Sequence, residues 1–474
     1  MRSIFVNESD LRVDSSATAV RRLLGDTAER AADYLESLPG RAVSPRAGVD
    51  GLRARLGGPL PKTGGEPAEV LRGLVEGADE GLVATAGPRY FGFVIGGSLP
   101  VAVAADWLVS AWDQNAGMQV MSPATGVIEE VVLDWLRDLL GLPAGGSGAF
   151  VTGGQMANFV GLAAARHQVL ADAGWDVESR GLIGAPPVTV IVGDERHAAI
   201  GAALRYLGLG TDCLVGLPAD GNGALDPTGL REALARAPGP TIVCAQAGNV
   251  NTGACDPIGE ICAIARERGA WVHVDGAFGL FAAASPRFRH LVAGLEAADS
   301  WAVDMHKWLN VPYDCSVALT AHPEAHRAAM SATASYLPAG EHREPIDWNP
   351  EMSRRARAIP VWAALRTLGR GGVAGLVDRC CALARRFADR LAAAEGVEIL
   401  NEVVLNQVLV RFADDDRVTE EVIRRVQEDG TCWMGGTRWR NRAAMRISVS
   451  NWSTTEDDVD RSVAAILTAF AAAE

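Results

Sequence analysis

Short apolar runs punctuate the chain between about residues 89 and 320, and each has the length of a buried strand. They fall at 148–153, 188–193, 212–218, 241–246, 271–276, 300–305 and 315–320. The stretches between them are longer and helical in pattern, which predicts strands joined by crossovers. Runs that are apolar throughout predict strands covered on both faces, hence a mostly parallel, seven-stranded sheet in an α/β fold. Such a sheet offers its ligand site beyond the carboxyl ends of its strands. Residues 1–88 read differently. Apolar residues at helical spacing predict helices at 17–38 and 67–82, separated by a Pro/Gly-rich linker at 57–65, and this arm has no core of its own. It must pack on the main domain or on a second subunit. A polar, proline-containing stretch at 331–350 breaks the rhythm, and a long loop of that kind inside a compact domain is usually functional. A long helix is predicted at 361–394, then a small unit with strands at 397–401, 407–412 and 444–450 and helices at 418–428 and 455–473. The chain therefore divides into an N-terminal helical arm (1–88), a large domain (89–365) and a small C-terminal α+β domain (366–474).

Composition narrows the function. The 474 residues are 48% hydrophobic and 22% charged, as in a soluble globular protein. A net charge of −14 gains nothing from counterion release on a polyanion, so nucleic acid and anionic membrane are not expected partners. The eight cysteines include no CxxC pair and sit mostly in apolar runs, which predicts reduced, buried thiols in a cytoplasmic protein and no metal site. The first residues lack the apolar core of a signal peptide, and no apolar stretch is long enough to span a bilayer.

Candidate chemistry collects at the ends of the predicted strands. The turn Thr152-Gly153-Gly154-Gln155 links a strand to a helix, where free N–H groups and the helix dipole suit an anion. His197 follows the second strand, and its ring can stack on a planar group or simply cap a helix. Asp275 ends the apolar run Trp271-Val272-His273-Val274, so its carboxylate is buried and needs a partner. Ala277, two residues on, is small enough to lie under a flat ring. Lys307 follows Asp304-Met305-His306 and precedes Trp308; a lysine desolvated there becomes nucleophilic, whereas a lone lysine after a strand is ordinarily a surface charge. A buried lysine and a buried carboxylate at strand ends are what pyridoxal 5′-phosphate requires: an amine for the Schiff base and an acid that keeps the pyridine nitrogen protonated.

These segments, together with Gly87-Pro88-Arg89-Tyr90-Phe91, Ser122-Pro123-Ala124-Thr125, Glu129, Trp135, Asp299-Ser300 and Arg354-Arg355, resemble the group II pyridoxal-phosphate decarboxylases, the family of aromatic-L-amino-acid and glutamate decarboxylases. The resemblance spans nearly the whole chain. It implies a fold-type-I homodimer with its active site at the interface and the N-terminal arm wrapped on the partner. It assigns Lys307 to the Schiff base, Asp275 to the pyridine nitrogen, and His197 and Ala277 to the two ring faces. Gly153, Gly154, Gln155, Ser300 and His306 become the phosphate neighbourhood. Tyr90, Phe91 and Asn115 are the candidate substrate contacts, and Tyr336, in the irregular stretch, is the proton donor. The implied reaction is decarboxylation of an L-amino acid, or a derivative of one, to the amine and carbon dioxide. Decarboxylation coupled to oxidative deamination, β-elimination and transamination are the alternatives on the same fold, with Arg446 the candidate α-carboxylate ligand for the last. Relatives with Phe in place of the loop tyrosine tend toward aldehydes, so Tyr336 with His197 favours the amine. Two departures stand out. Asp304 occupies a place where Asn is common, and a carboxylate beside a phosphate is repelled unless it meets a donor. Residues 112–117, Trp-Asp-Gln-Asn-Ala-Gly, are small and polar where aromatic-acid decarboxylases carry bulky apolar ones, which leaves the substrate open.

Overall fold

The computed structural model describes residues 16–332 and 343–473. Seven strands form the central sheet: β1 (Ser147–Val151), β2 (Thr189–Gly193), β3 (Leu214–Leu217), β4 (Thr241–Gln246), β5 (Trp271–Asp275), β6 (Ser300–Asp304) and β7 (Ser316–Thr320), in the order β1-β7-β6-β5-β4-β2-β3. Neighbours from β3 to β6 pair in parallel, while β7 runs antiparallel to both β6 and β1. β1, β5, β6 and β7 are buried along their whole length, the physical counterpart of their unbroken apolar sequence.

Register decides what meets at the carboxyl edge. Ser316, which opens β7, pairs with Asp304 on one side and Val151 on the other. The turn after β1, the end of β6 and the start of β7 therefore converge. The helix Gly154–Asp172 leaves that point and packs across β5, β6 and β7, burying Ala157, Asn158, Val160, Gly161 and Ala164. Gly161 is forced by this approach: a Cβ there would stand 2.7 Å from the His273 ring.

The second sheet contains β8 (Val397–Ile399), β9 (Gln407–Phe412), β10 (Gly435–Trp439) and β11 (Arg442–Ser448), all antiparallel, in the order β10-β11-β9-β8. β10 escapes sequence reasoning because Gly-Gly-Thr-Arg-Trp is neither apolar nor alternating. Its hairpin turn, Arg440-Asn441, adopts positive φ at both residues (49° and 63°) without a glycine to announce it. The helix Ala358–Ala392 matches the predicted 361–394 to within three residues at each end but breaks at Gly369, whose φ of 60° and ψ of −178° are not helical.

The N-terminal arm holds helices Ala17–Ser37, Val49–Leu56 and Pro67–Ala78; the eight-residue middle one was too short to read from periodicity. Only Gly77 is buried within them, and Leu24, Val70 and Leu74 stand exposed. The arm is moored where Leu38 and Val43 are buried, where Val43 N–H donates to Gly430 O (2.8 Å), and where Arg89 spans Pro39 O (2.7 Å), Thr431 O (2.7 Å) and Asp458 (3.1 Å). Beyond the sheet, buried Glu129 takes Arg354 (2.7 Å) and Arg343 (3.1 Å), which pins the chain on its return from 333–342. Among the described residues no helix is long and apolar enough to cross a membrane, and all eight cysteines are free thiols.

Candidate active site

The groups that sequence reasoning singled out at 153–155, 197, 275–277 and 304–307 lie together at the carboxyl edge. Lys307 Nζ stands 2.9 Å from Asp304 Oδ2, and Asp304 Oδ1 faces His306 Nε2 at 3.5 Å and accepts the Ser316 hydroxyl. Burial alone pushes the Asp304 acid up, but Lys307, His306 and Ser316 outweigh it and hold the carboxyl below its usual range. His306 Nδ1 accepts the Cys315 N–H (3.1 Å), so the neutral ring carries its proton on Nε2. Burial, reinforced by Lys307, lowers its basicity further than Asp304 restores it. A Cβ on Gly154 would stand 2.8 Å from Asp304 Oδ2, and one on Gly153 would reach the His306 ring at 3.8 Å. These two glycines open the helix Gly154–Asp172, with Gln155 exposed in its first turn.

Asp275 ends β5 and is buried. Its Oδ1 accepts the Ala277 N–H (3.3 Å) and its Oδ2 accepts from Asn158 Nδ2 (3.2 Å). Desolvation raises its pKa, with His197 and Lys307 opposing the shift. Behind it runs a chain of hydrogen bonds whose polarity has one solution. Trp271 Nε1–H can only donate, so Ser300 Oγ accepts it (2.9 Å); the Asp275 carboxylate takes the Asn158 amide and turns Asn158 Oδ1 toward His273 Nε2–H, which leaves His273 Nδ1 to accept the Ser300 hydroxyl (2.8 Å). His273 then donates from Nε2 to Asn158 Oδ1 (2.9 Å). Burial depresses the His273 pKa to about 3, so the ring relays as a neutral group.

His197 is the N-cap of the helix Ala198–Tyr206, and its Nδ1 accepts Ala199 N–H (3.2 Å). The ring is exposed in the single chain, yet it lies within electrostatic reach of Asp275 and Lys307. Desolvation lowers its pKa, Lys307 and Arg446 add to the fall, and Asp275 opposes it.

Three sequence expectations find other places. Ser300 lies at the amino end of β6, a strand's length before Asp304 and the phosphate-side cluster, with its hydroxyl spent between Trp271 and His273. Phe91 is 1% exposed and packs edge-on against Phe387 (4.9 Å), so it belongs to the core. Asn115 Oδ1 accepts from Gly117 N–H (3.0 Å) and Arg354 N–H (3.3 Å), folding its own turn. Tyr336 lies outside the described residues. Tyr90, by contrast, stacks on Trp433 (5.0 Å, 12°) and feels Arg446. Sequence reasoning passed over Phe93, 58% exposed beside Trp433 (5.5 Å), and Tyr313, 4.3 Å from the His306 ring. It passed over Asn158 as well, although its spacing from Gly154 places it one helical turn into the buried face.

The sequence matches the pyridoxal-dependent decarboxylase conserved domain over residues 74–413. This chain belongs to the pyridoxal-dependent decarboxylase family. It is 26% identical to an aromatic-L-amino-acid decarboxylase of Bacillus atrophaeus over 94% of both chains, and 28% identical to a 4-hydroxyphenylacetaldehyde synthase of Rhodiola rosea over 90% of both. Its fold superposes on Oryza sativa TDC, crystallised with PLP and tryptamine, with a TM-score of 0.91 at 25% identity, covering 97% of this chain and 99% of that one. The protein is thus a pyridoxal-phosphate-dependent amino-acid decarboxylase. The residues present fit the cofactor on structural grounds: a buried acid, Asp275, held by donors, a lysine paired with Asp304 at the end of the neighbouring strand, and a glycine-opened helix start that a side chain at Gly154 would fill.

Asn158→Ala strands the His273 Nε2–H and removes a donor from Asp275. We expect a stability loss of about 1–3 kcal/mol in urea denaturation, together with weaker cofactor retention on dialysis; unchanged stability would show that the relay is not closed.

Proposed function

We propose that this enzyme decarboxylates an L-amino acid with a planar, largely apolar side chain, releasing the amine and carbon dioxide. The observation that carries the reading is the convergence of Lys307, Asp275 and His197 at the carboxyl edge of one sheet, within electrostatic reach of one another. Bound there, pyridoxal phosphate supplies an electron sink for the bond broken at the substrate α-carbon. Lys307 Nζ is the amine that anchors it. Asp275, oriented by Asn158 and Ala277, holds a proton on the pyridine nitrogen, while His197 and Ala277 bracket the ring. The free N–H groups at Gly154 and Gln155, with His306, receive the phosphate.

Arg446 fits the substrate's α-carboxylate. Its Nε is buried with no hydrogen-bond partner among the described residues, and it feels Tyr90 and acts on His197. The aromatic rim of Tyr90, Phe93, Tyr313 and Trp433 supports a planar side chain. Tyr336, assigned on sequence, delivers the proton to the α-carbon from its phenolic oxygen. The likeness to 4-hydroxyphenylacetaldehyde synthase favours one second reading, oxidative deamination, which consumes oxygen and releases ammonia in place of an amine. The exposed apolar residues of the arm, joined by Trp107, Leu108 and Trp112 of the helix Pro100–Trp112, support a homodimer that buries this face.

Lys307→Ala is expected to abolish the visible absorption band of the cofactor-supplied protein and all carbon dioxide release; a borohydride-sensitive band surviving the substitution would refute the anchor. A panel of L-amino acids assayed with and without oxygen should give amine and carbon dioxide in equal amounts. In that assay Arg446→Met should raise KM with the product unchanged, whereas Tyr336→Phe should divert product toward aldehyde. Untouched amine formation in Tyr336→Phe would remove the tyrosine as proton donor. Analytical ultracentrifugation should find a dimer that Trp107→Glu with Leu74→Glu dissociates; a monomeric parent protein would exclude the assembly.

A further inference from the structure

With the cofactor's phosphate at the Gly153–Gly154 helix start, as in the reading above on which this inference rests, the chain keeps an acid where an anion must bind. Asp304 has its side chain buried and lies against Gly154, whose Cβ would meet both carboxylate oxygens at 2.8 and 3.2 Å. The residue is fixed at the end of β6, because its own N–H donates to Ala277 O (2.8 Å). The charged and titratable groups that act on it come from every neighbouring element. Lys307 and His306 belong to its own loop, Tyr313 and Cys315 precede β7, Asp275 ends β5, and His197 caps the helix beyond β2. Lys307 is the one lysine or arginine among these, and the same amine is committed to the cofactor.

We infer that Asp304 makes phosphate capture proton-linked: the carboxylate that pairs with Lys307 takes up one proton from solvent as the cofactor binds. Two anions held in contact in a poorly solvated site repel strongly, and neither can retreat, one being fixed to β6 and the other drawn by the helix N–H groups. Protonation removes the like charge and turns an acceptor-only group into a hydrogen-bond donor. One proton is bound and none is released, so affinity falls as pH rises, by up to about tenfold per pH unit once solvent no longer supplies that proton freely. The departure from Asn at this position then has a consequence: cofactor loading in this chain responds to pH in a way that an amide would not allow.

The test compares the dissociation constant of pyridoxal 5′-phosphate for the full-length protein and Asp304→Asn from about pH 6 to about pH 9, read by the visible band and by tryptophan fluorescence. The phosphate's own ionisation is common to both proteins and cancels in the ratio. The variant should bind more tightly, and the ratio of the two constants should grow at least about tenfold across the range. With pyridoxal, which lacks the phosphate, the ratio should stay constant. Should the variant misfold, calorimetry of the unsubstituted protein in buffers of different ionisation enthalpy at about pH 8, where the phosphate is already a dianion, should count about one more proton taken up with pyridoxal phosphate than with pyridoxal. Bands in both proteins with a flat ratio, or equal proton counts, overturn the inference alone. A protein that forms no band at any pH overturns the placement of the cofactor and the inference with it.

Discussion

Two buried carboxylates, Asp275 and Asp304, end adjacent parallel strands of one sheet, and a single lysine stands close enough to pair with Asp304. A buried carboxylate is tolerated only where charge or hydrogen bonds answer it. The architecture around the site supplies those answers. Asp304 is met by Lys307, Ser316 and His306, all brought to one level by the register of β6 and β7. Asp275 is met by an amide, a backbone N–H and the field of His197. The balance is uneven. Asp304 sits below the ordinary range and Asp275 above it, although both are buried. That inequality suits the roles proposed for the two acids: the one with the raised pKa, Asp275, is the one that a protonated pyridine nitrogen would meet.

The strands were legible because parallel sheets bury both faces and so write continuous apolar runs into the sequence. All seven were found within a few residues, and with them the strand ends where Lys307, Asp275 and His197 stand. What stayed hidden is held by through-space contacts. The relay from Trp271 through Ser300, His273 and Asn158 joins two strands and a helix that are far apart in sequence, and no local pattern marks a hydroxyl as the middle of a chain. Ser300 was accordingly placed with the phosphate on its family neighbourhood, although a strand's length separates it from that end. Phe91 shows the same difficulty at closer range. Tyr90, Phe91 and Phe93 are three aromatic rings in four positions, and only the turn they occupy decides which enters the core, which stacks on Trp433 and which faces out.

At His197 a backbone cap and the proposed chemistry fall on one side chain. A histidine after a strand that caps the next helix is ordinary, and here it does cap that helix. The cap spends Nδ1, which fixes the proton on Nε2 and fixes the ring's attitude toward Asp275. The structural role would thus prepare the chemical one proposed for it. The same economy appears at Asn158, which fills a buried helix position and orients an acid with the same amide.

The arm at residues 16–82 contrasts with this preorganised centre. Its helices bury almost nothing within the chain, whereas the sheet edge that holds Lys307 is fully formed without it. Apolar surface of that extent has a cost in water that a monomer would carry permanently. In the proposed dimer the division would follow: the groups assigned to the cofactor are held within one chain by strand register and buried hydrogen bonds, while part of the wall around the substrate would come from the partner surface. Asn115 fits that division. Its side chain serves its own turn near Arg354, apart from Lys307, and a second copy of the chain would be the means of carrying the 112–117 segment to a substrate. Selectivity for the side chain would then vary with the surface of assembly, independently of the anchor that every such enzyme requires.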